Sequence, residues 1–369
     1  MYDKRIYDAW LASAEIPYDS LIPLLHGLKG SENVYKALLC SSDPLISIIP
    51  ESLRKRMMEN ADKKNLDIFL KQMQKYGIQT LTIEEAEYPS ALRGIPDPPA
   101  ILFLKGNHEC LKSGKKVAMI GSRAASYTGK RAARKIAADL SRNRVTVISG
   151  LAYGIDTESH RGCLEGGSPT IAVMGCGLDI DYPVQNHELK NEILEKGGLI
   201  ISEYAPGVKP LGHHFPYRNR IISGLSDVVI LVEAKIRSGS MTTVDHALKQ
   251  GKEIYVYPGD PDSPLFEGNR MLLRDGAHYF SDARDILQDM DWLDNLPYIL
   301  QNSECSAMAV PENEAEKAVY LALKKGDLGF DELMAVSGLT SQSLMSTLTV
   351  MQIRKAIEPL PGKRYHLRS

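Results

Sequence analysis

VAMIGSRAASYTGKRAARKIAADLSRNRVTVISGLAYGID, residues 117–156, decides the fold class of this chain. The segment opens on a continuous apolar run (117–120) and turns at Gly121-Ser122-Arg123. It then passes through a stretch with helical spacing (130–140) into a second apolar, β-branched run (145–149). A strand that is apolar at successive positions has to be covered on both faces, which is the condition of a parallel strand between layers of helices. The alternation continues outward. Strand-like runs recur at 170–174, 199–202, 228–232 and 253–257, and helical segments at 158–164, 186–195, 218–224 and 242–250. This order predicts an α/β, doubly wound, mostly parallel sheet over residues 110–290.

Three further regions flank it. Residues 1–75 read as short helices broken by Pro and Gly. Residues 76–109 read as a linking segment, because EYPSALRGIPDPPAILFLKGN carries four prolines and two glycines. The polar stretch 291–310 reads as a linker. Residues 311–369 show helical patterns at 314–325, 330–337 and 341–351, with Gly338-Leu339-Thr340 as a turn. Strand-like pieces near 356–359 and 364–367 follow, separated by Pro361-Gly362. Three helices and a hairpin make a winged-helix-like pattern.

Composition bounds the function. The chain has 369 residues, 43% hydrophobic and 24% charged, which excludes disorder as the main state and a small disulfide scaffold. No run reaches the ~18 apolar residues of a membrane helix, and the N-terminus lacks a signal-peptide core, so a cytoplasmic protein without membrane association is expected. Cys40, Cys110, Cys163, Cys176 and Cys305 form no C-x-x-C pair and are expected reduced and mostly buried. The net charge is −2, but the charge is unevenly spread. Residues 121–145 hold seven basic residues and one acid. Residues 205–220 hold three basic residues, two histidines and no acid. Two such patches are either solvated faces or a surface for a polyanion.

In an open α/β sheet the chemistry sits at the carboxyl ends of the strands. After the first strand, Ser122 and Arg123 can meet a phosphate, yet Gly121 and Gly129 do not match the Walker spacing and G-x-G-x-x-G is absent. After the second, Gly150 and Gly154 surround a bend that Asp156 can cap. After the third, Gly175-Cys176-Gly177 is a weak signal, and Cys176 reads as a small buried residue. The fourth is followed by GHHFPYRNRIISG (212–224), the richest segment. His213 and His214 lack a metal-ligand partner pattern, so no metal is expected. Phe215, Tyr217, Arg218 and Asn219 suit phosphates and stacked bases, whereas Arg220 reads equally as a structural arginine. After the fifth strand Glu233 is expected to orient an arginine, and Ser240 caps a helix aimed at the same crevice. Asn269 opens a last short helix. No cofactor fingerprint is found.

GSR at 121–123, SGLAYGID at 149–156, HHFPYRNRIISGLS at 213–226, VEA with SGSMTT within 232–243, and PGD with EGNRMLLRDGA within 258–277 resemble the DNA-processing protein A (DprA/Smf) family. The resemblance covers about half the chain, with the motifs in order. It implies an extended Rossmann-like sheet domain, a helical N-terminal unit of SAM or helix-hairpin-helix type, and a winged-helix-like C-terminal unit. It further implies a non-enzymatic protein that binds single-stranded DNA, dimerises and loads the RecA recombinase during natural transformation. The family's basic pocket maps onto Ser122, Arg123, Phe215, Arg218 and Asn219, with Gly150, Lys209, His214, Arg220, Ser240 and Asn269 as further DNA-binding candidates. Some members carry a lysine about three residues before the Phe-Pro pair; Gly212 stands there in this chain, with Lys209 nearby. GIDTESHRGCL replaces the common GIDAAAHRGAL, and GCGLDIDYP replaces GTGLD-x-x-YP.

Two other readings stay open on sequence. A Rossmann-like sheet with a Gly-rich first turn also suits an enzyme that binds or cleaves nucleotides, though no pair of catalytic carboxylates is found. A duplex-binding regulator would use the C-terminal unit, with Lys363, Arg364 and Arg368 at phosphates, but SQSLMSTLTVMQ carries no basic residue.

Overall fold

Every residue at 146–149, 171–174, 199–202 and 228–233 is buried, as strands covered on both faces must be. The computed structural model describes residues 3–40, 44–47, 49–112, 114–293, 313–324, 326–353, 356–360 and 364–367. Cys305, residues 294–310 of the expected linker, Pro361, Gly362, Lys363 and Arg368 lie outside them. The chain divides into two compact units, Met1–Trp292 and Leu293–Ser369.

The first unit opens on helices α1 (Lys4–Ser13), α2 (Tyr18–Leu28), α3 (Ser31–Cys40), α4 (Pro44–Ser47), α5 (Glu51–Glu59) and α6 (Lys63–Tyr76). Then follow β1 (Gln79–Thr82), α7 (Ser90–Arg93), β2 (Ile101–Gly106), α8 (Glu109–Lys112), β3 (Lys116–Gly121), α9 (Tyr127–Arg142), β4 (Thr146–Ser149) and α10 (Ile155–Gly166). The second half runs β5 (Ile171–Met174), α11 (His187–Glu195), β6 (Leu199–Ser202), α12 (His214–Leu225), β7 (Val228–Glu233) and α13 (Met241–Lys249). It ends with β8 (Glu253–Val256), α14 (Glu267–Arg274), β9 (His278–Tyr279) and α15 (Ala283–Asp289).

These strands form one sheet in the order β1-β2-β6-β5-β4-β3-β7-β8-β9. From β6 to β9 all neighbours are parallel; β2 runs antiparallel to β6, and β1 to β2. The mostly parallel Rossmann-like fold is therefore the one expected. Residues 76–109 are not only a link. Their β1 and β2 extend the sheet past β6, with Phe103 opposite Ser202 and Leu104 opposite Ile201.

Alternation of side chains sorts the core into two layers. Ala172 and Ile200 face one cluster, which also holds Trp10, Leu25 and Leu66 of the N-terminal helices. Val173 and Ile201 face the other, with Ile221 and Leu225 of α12 and Val244 of α13. The N-terminal helices thus share a core with one sheet face. A polar tie reinforces this: the buried Asp8 carboxylate accepts from Ser31 Oγ and from Thr80 Oγ1 of β1 (2.6 Å). Burial pushes the Asp8 pKa up, against these two hydroxyl donors.

The second unit contains α16 (Glu314–Leu323), β10 (Leu328–Gly329), α17 (Phe330–Ser337), α18 (Ser341–Ile353), β11 (Ile357–Leu360) and β12 (Arg364–Leu367). Its three strands pair antiparallel in the order β10-β12-β11. Val319, Leu333, Leu344, Leu348 and Ile357 form its core. Among the described residues no helix is long and apolar enough to cross a membrane.

Candidate nucleic-acid interface

The connections from β3 lead to β4, β5 and β6 on one side, and β7, β8 and β9 lie on the other. Such a reversal of strand order opens a crevice at the carboxyl ends of the strands. A cavity of about 700 Å³ lies there. Its walls include the 121–124 turn after β3, Ala152 and Asp156 after β4, residues 235 and 237–240 after β7, and Phe215, Arg218 and Asn219 of α12.

The turn after β3 is held from below. The pairing of β3 with β7 shifts register between Ile120 and Gly121. Ser122 N–H donates to Glu233 O (2.7 Å), and Ser122 O accepts from Ile155 N–H (3.2 Å). The two loops approach so closely that a Cβ on Gly154 would lie 2.3 Å from Ser122 O, and Gly154 also has φ +76°. Glu233 is fully buried, but it does not orient an arginine as expected. Its carboxylate accepts from Ser126 N–H (3.0 Å) and Ser126 Oγ (2.5 Å). Ser126 Oγ in turn accepts from Gly129 N–H (2.9 Å) and caps α9. The carboxylate at the end of β7 therefore fixes the far end of the turn that presents Ser122 and Arg123.

In the second loop Asp156 works backward, accepting from Gly150 N–H (3.1 Å) and Ala152 N–H (3.3 Å). A Cβ on Gly150 would sit 2.7 Å from Arg218 Nη2, so only glycine lets this arginine pass. Arg218 is 3% exposed. Its Nη1 donates to Gly150 O (2.9 Å) and to Val173 O. Burial pushes the Arg218 pKa down to about 10, opposed by the Asp156 charge, so it stays a cation at neutral pH. Burial pushes Asp156 up, opposed by Arg218.

Arg123 differs in kind. It is exposed and has no ion-pair partner among the described residues. Its guanidinium centre lies 5.2 Å from the Phe215 ring, and that of Arg218 lies 6.0 Å from it. Tyr182, also in the cavity wall, packs its ring 5.3 Å from Phe215 at 32°. Asn219 donates to Thr242 Oγ1 (2.8 Å) and Gly239 O (3.4 Å), which docks α12 onto the start of α13.

The structure brings Ser122, Arg123, Phe215, Arg218, Asn219 and Ser240 to this cavity, and Gly150 to an adjoining cleft beside Phe215. Four candidates lie elsewhere. Arg220 is 3% exposed and points away, with a two-pronged pair to Glu203 (2.9 and 2.7 Å) and its Nε on Asp97 O (2.7 Å). His214 is buried, stacked on Tyr204 at 4.0 Å, with Nδ1 toward Gly175 O. Asn269 is fully buried and ties Ala234 N–H, Val232 O and Tyr257 O together. Lys209 is exposed beside the cavity but is not in its wall. Tyr217, read as a stacking platform, donates to Asp97 Oδ2 (2.8 Å) and lies under Arg220.

Lys235 and Arg237, to which the sequence assigns no role, are exposed cations in the cavity wall. Their position directly after a strand end was the signal. His160, in the family-like HRG triplet, is fully buried on Thr170 Oγ1 (2.8 Å). Burial and Arg218 push its pKa down to about 3, so it is a neutral structural residue. Cys110, Cys163 and Cys176 are buried, Cys40 is exposed, and none of the four is in a disulfide among the described residues. Among the described residues no three His, Cys, Asp or Glu side chains gather as a metal site.

The profile of the DNA recombination-mediator protein A family matches residues 79–291, the whole nine-stranded sheet and its loops. The chain belongs to that family. DNA processing protein DprA of Streptococcus pneumoniae is 41% identical over 222 residues, covering 60% of this chain and 77% of that protein. Among solved structures, that of DprA from Streptococcus pneumoniae superposes with a TM-score of 0.65 at 35% identity, covering 78% of this chain and 98% of that one. A Helicobacter pylori DNA processing protein A structure, described for its single-stranded DNA binding mode, gives a TM-score of 0.52 at 32% identity, covering 57% and 95%. Family membership accounts for the shared sheet and for the motifs clustered on its rim.

Proposed function

We propose that this member of the family binds single-stranded DNA in the crevice between β3 and β7 and breaks no bond in it. The observation that carries this reading is the Arg123–Phe215 pair: an exposed guanidinium 5.2 Å from a ring at the mouth of a 700 Å³ cavity. Lys235 and Arg237 continue the positive wall. Cations answer the phosphates, and flat side chains stack with bases of any identity. The single-strand binding of the Helicobacter pylori relative supports the same reading. So do the two buried carboxylates beside the crevice, because Asp156 and Glu233 are both committed to hydrogen bonds that hold loops.

The family's description as a recombination mediator supports a role in DNA recombination, and from the family resemblance we further infer that the protein works in the cytoplasm as a homodimer. In this role it protects incoming strands and delivers them to RecA. Two crevices on one strand raise affinity through effective concentration. We read the C-terminal unit as winged-helix-like on its order of helix, strand, two helices and two strands.

The test is quantitative binding of the full chain to oligo-dT of varied length and salt, beside a solution mass measurement. Tight, salt-sensitive binding to single strands over duplex is expected. Equal affinity for duplex, or release of base or phosphate from a nucleotide, would sink the reading. Faster assembly of RecA on oligo-dT in the presence of the protein checks the delivery step.

A further inference from the structure

A second cavity, of about 250 Å³, lies on the opposite side of the first turn of α12. The end of α1 and start of α2 supply Leu11, Glu15, Ile16 and Leu21, and the sheet side supplies Ile101, Glu203, Tyr204, His213, His214 and Tyr217. Glu203 is neutralised by Arg220. Glu15 has no ion-pair partner among the described residues; Arg56 reaches only its backbone carbonyl, at 3.4 Å. No lysine or arginine lines the cavity.

Two observations show that this is more than an acidic patch. His214 is 2% exposed, and with Nδ1–H donated to Gly175 O (3.2 Å) its Nε2 has no partner among the described residues. Burial holds its pKa below the ordinary histidine value, so Nε2 is a lone-pair acceptor at neutral pH. An acceptor on a buried ring that lines an open cavity calls for a donor. The second observation is what two wall residues, Glu203 and Tyr217, hold behind them. Arg220 places its guanidinium 3.8 Å from the Tyr217 ring centre and pairs with Glu203 through two nitrogens. The corner of the fold that forms this cavity thus already seats one guanidinium between a tyrosine face and a carboxylate.

We propose that the cavity binds an alkylguanidinium group, the chemistry of an arginine side chain. Its donors would meet the Glu15 carboxylate and His214 Nε2, and its alkyl stem would lie along Leu11, Ile16 and Leu21. Glu15 is exposed at the cavity and has no cation beside it, which disfavours an anion, and a neutral apolar ligand would use neither acceptor. Glu15 has φ +47°, in the left-handed region where glycine is the low-cost residue, and yet a carboxylate stands there.

That geometry supplies the experiment. N-acetyl-arginine amide is titrated into the full chain by calorimetry, beside the uncharged isostere N-acetyl-citrulline amide. Saturable binding of the arginine compound is expected, with the citrulline compound about tenfold or more weaker. Glu15→Gly relieves the left-handed strain, so it should fold at least as well, keep its affinity for oligo-dT, and lose the arginine amide. Glu15→Gln serves as a second variant with the same expected loss. Agmatine separates the sources: equal affinity for agmatine assigns the site to free guanidines, and preference for the capped arginine assigns it to a partner chain. No saturation up to about 10 mM, equal affinity for the citrulline compound, or undiminished binding in both Glu15 variants overturns the proposal.

Discussion

The first turn of α12 separates two cavities with opposite chemistry. The crevice between β3 and β7 is basic, with Arg123, Lys235 and Arg237 exposed in its wall. The cavity against α1 carries carboxylates and aromatic rings and has no lysine or arginine in its wall. Yet the helix between them contributes one arginine toward each side, Arg218 and Arg220, both 3% exposed. What distinguishes the two sides is which charges are already answered within the protein. Arg220 is consumed by Glu203 and Asp97, and Arg218 is spent on two backbone carbonyls with Asp156 close by. Only the rim residues keep charge for a ligand.

The strongest way to break this comparison is Arg218→Ala. It strands the Asp156 charge and two buried carbonyls, so a stability loss of about 3–5 kcal/mol is expected in urea unfolding. A variant as stable as the parent would mean that Arg218 is free for DNA after all. Phe215→Ala sharpens the other half. With the stacking surface gone and the fold kept, the affinity for oligo-dT should fall by about 1–3 kcal/mol at fixed salt. Arg123→Ala is smaller and of a different kind. It should leave stability unchanged and shallow the slope of log affinity against log salt by about 0.7. The smallest effect belongs to Lys209→Ala, which should change neither slope nor affinity because its ammonium is outside the cavity wall. A shift as large as that of Arg123→Ala would extend the crevice to Lys209.

The comparison also shows what a sequence reveals and what it conceals. Strands buried on both faces write themselves as apolar runs, so the parallel part of the sheet was legible at 117–120 or 228–232. In ILFLKG (101–106) the same apolar signal is present, but the prolines just before it point to a link, whereas the segment is a strand of the sheet. The helical segment expected at 218–224 begins a turn earlier: α12 starts at His214 and carries Pro216 in its first turn, where a missing N–H costs nothing. The added turn, 214–217, carries the side chains that part the two cavities: His214 and Tyr217 line one, and Phe215 lines the other. The partners of Arg218, Arg220 and Glu233 were beyond reach for a plainer reason. A sequence displays charges, while Gly150, Glu203 and Ser126 meet them only after the strands are ordered.

The tie from Asp8 to Ser31 and Thr80 has a practical corollary for anyone cutting this chain into pieces. A shortened protein beginning at β1 would strip the cover from one flank of the sheet and leave Phe103, Ile200 and Met174 wet. Such a fragment would be sticky in the test tube, and the helices removed from it would carry away the floor of their own cavity.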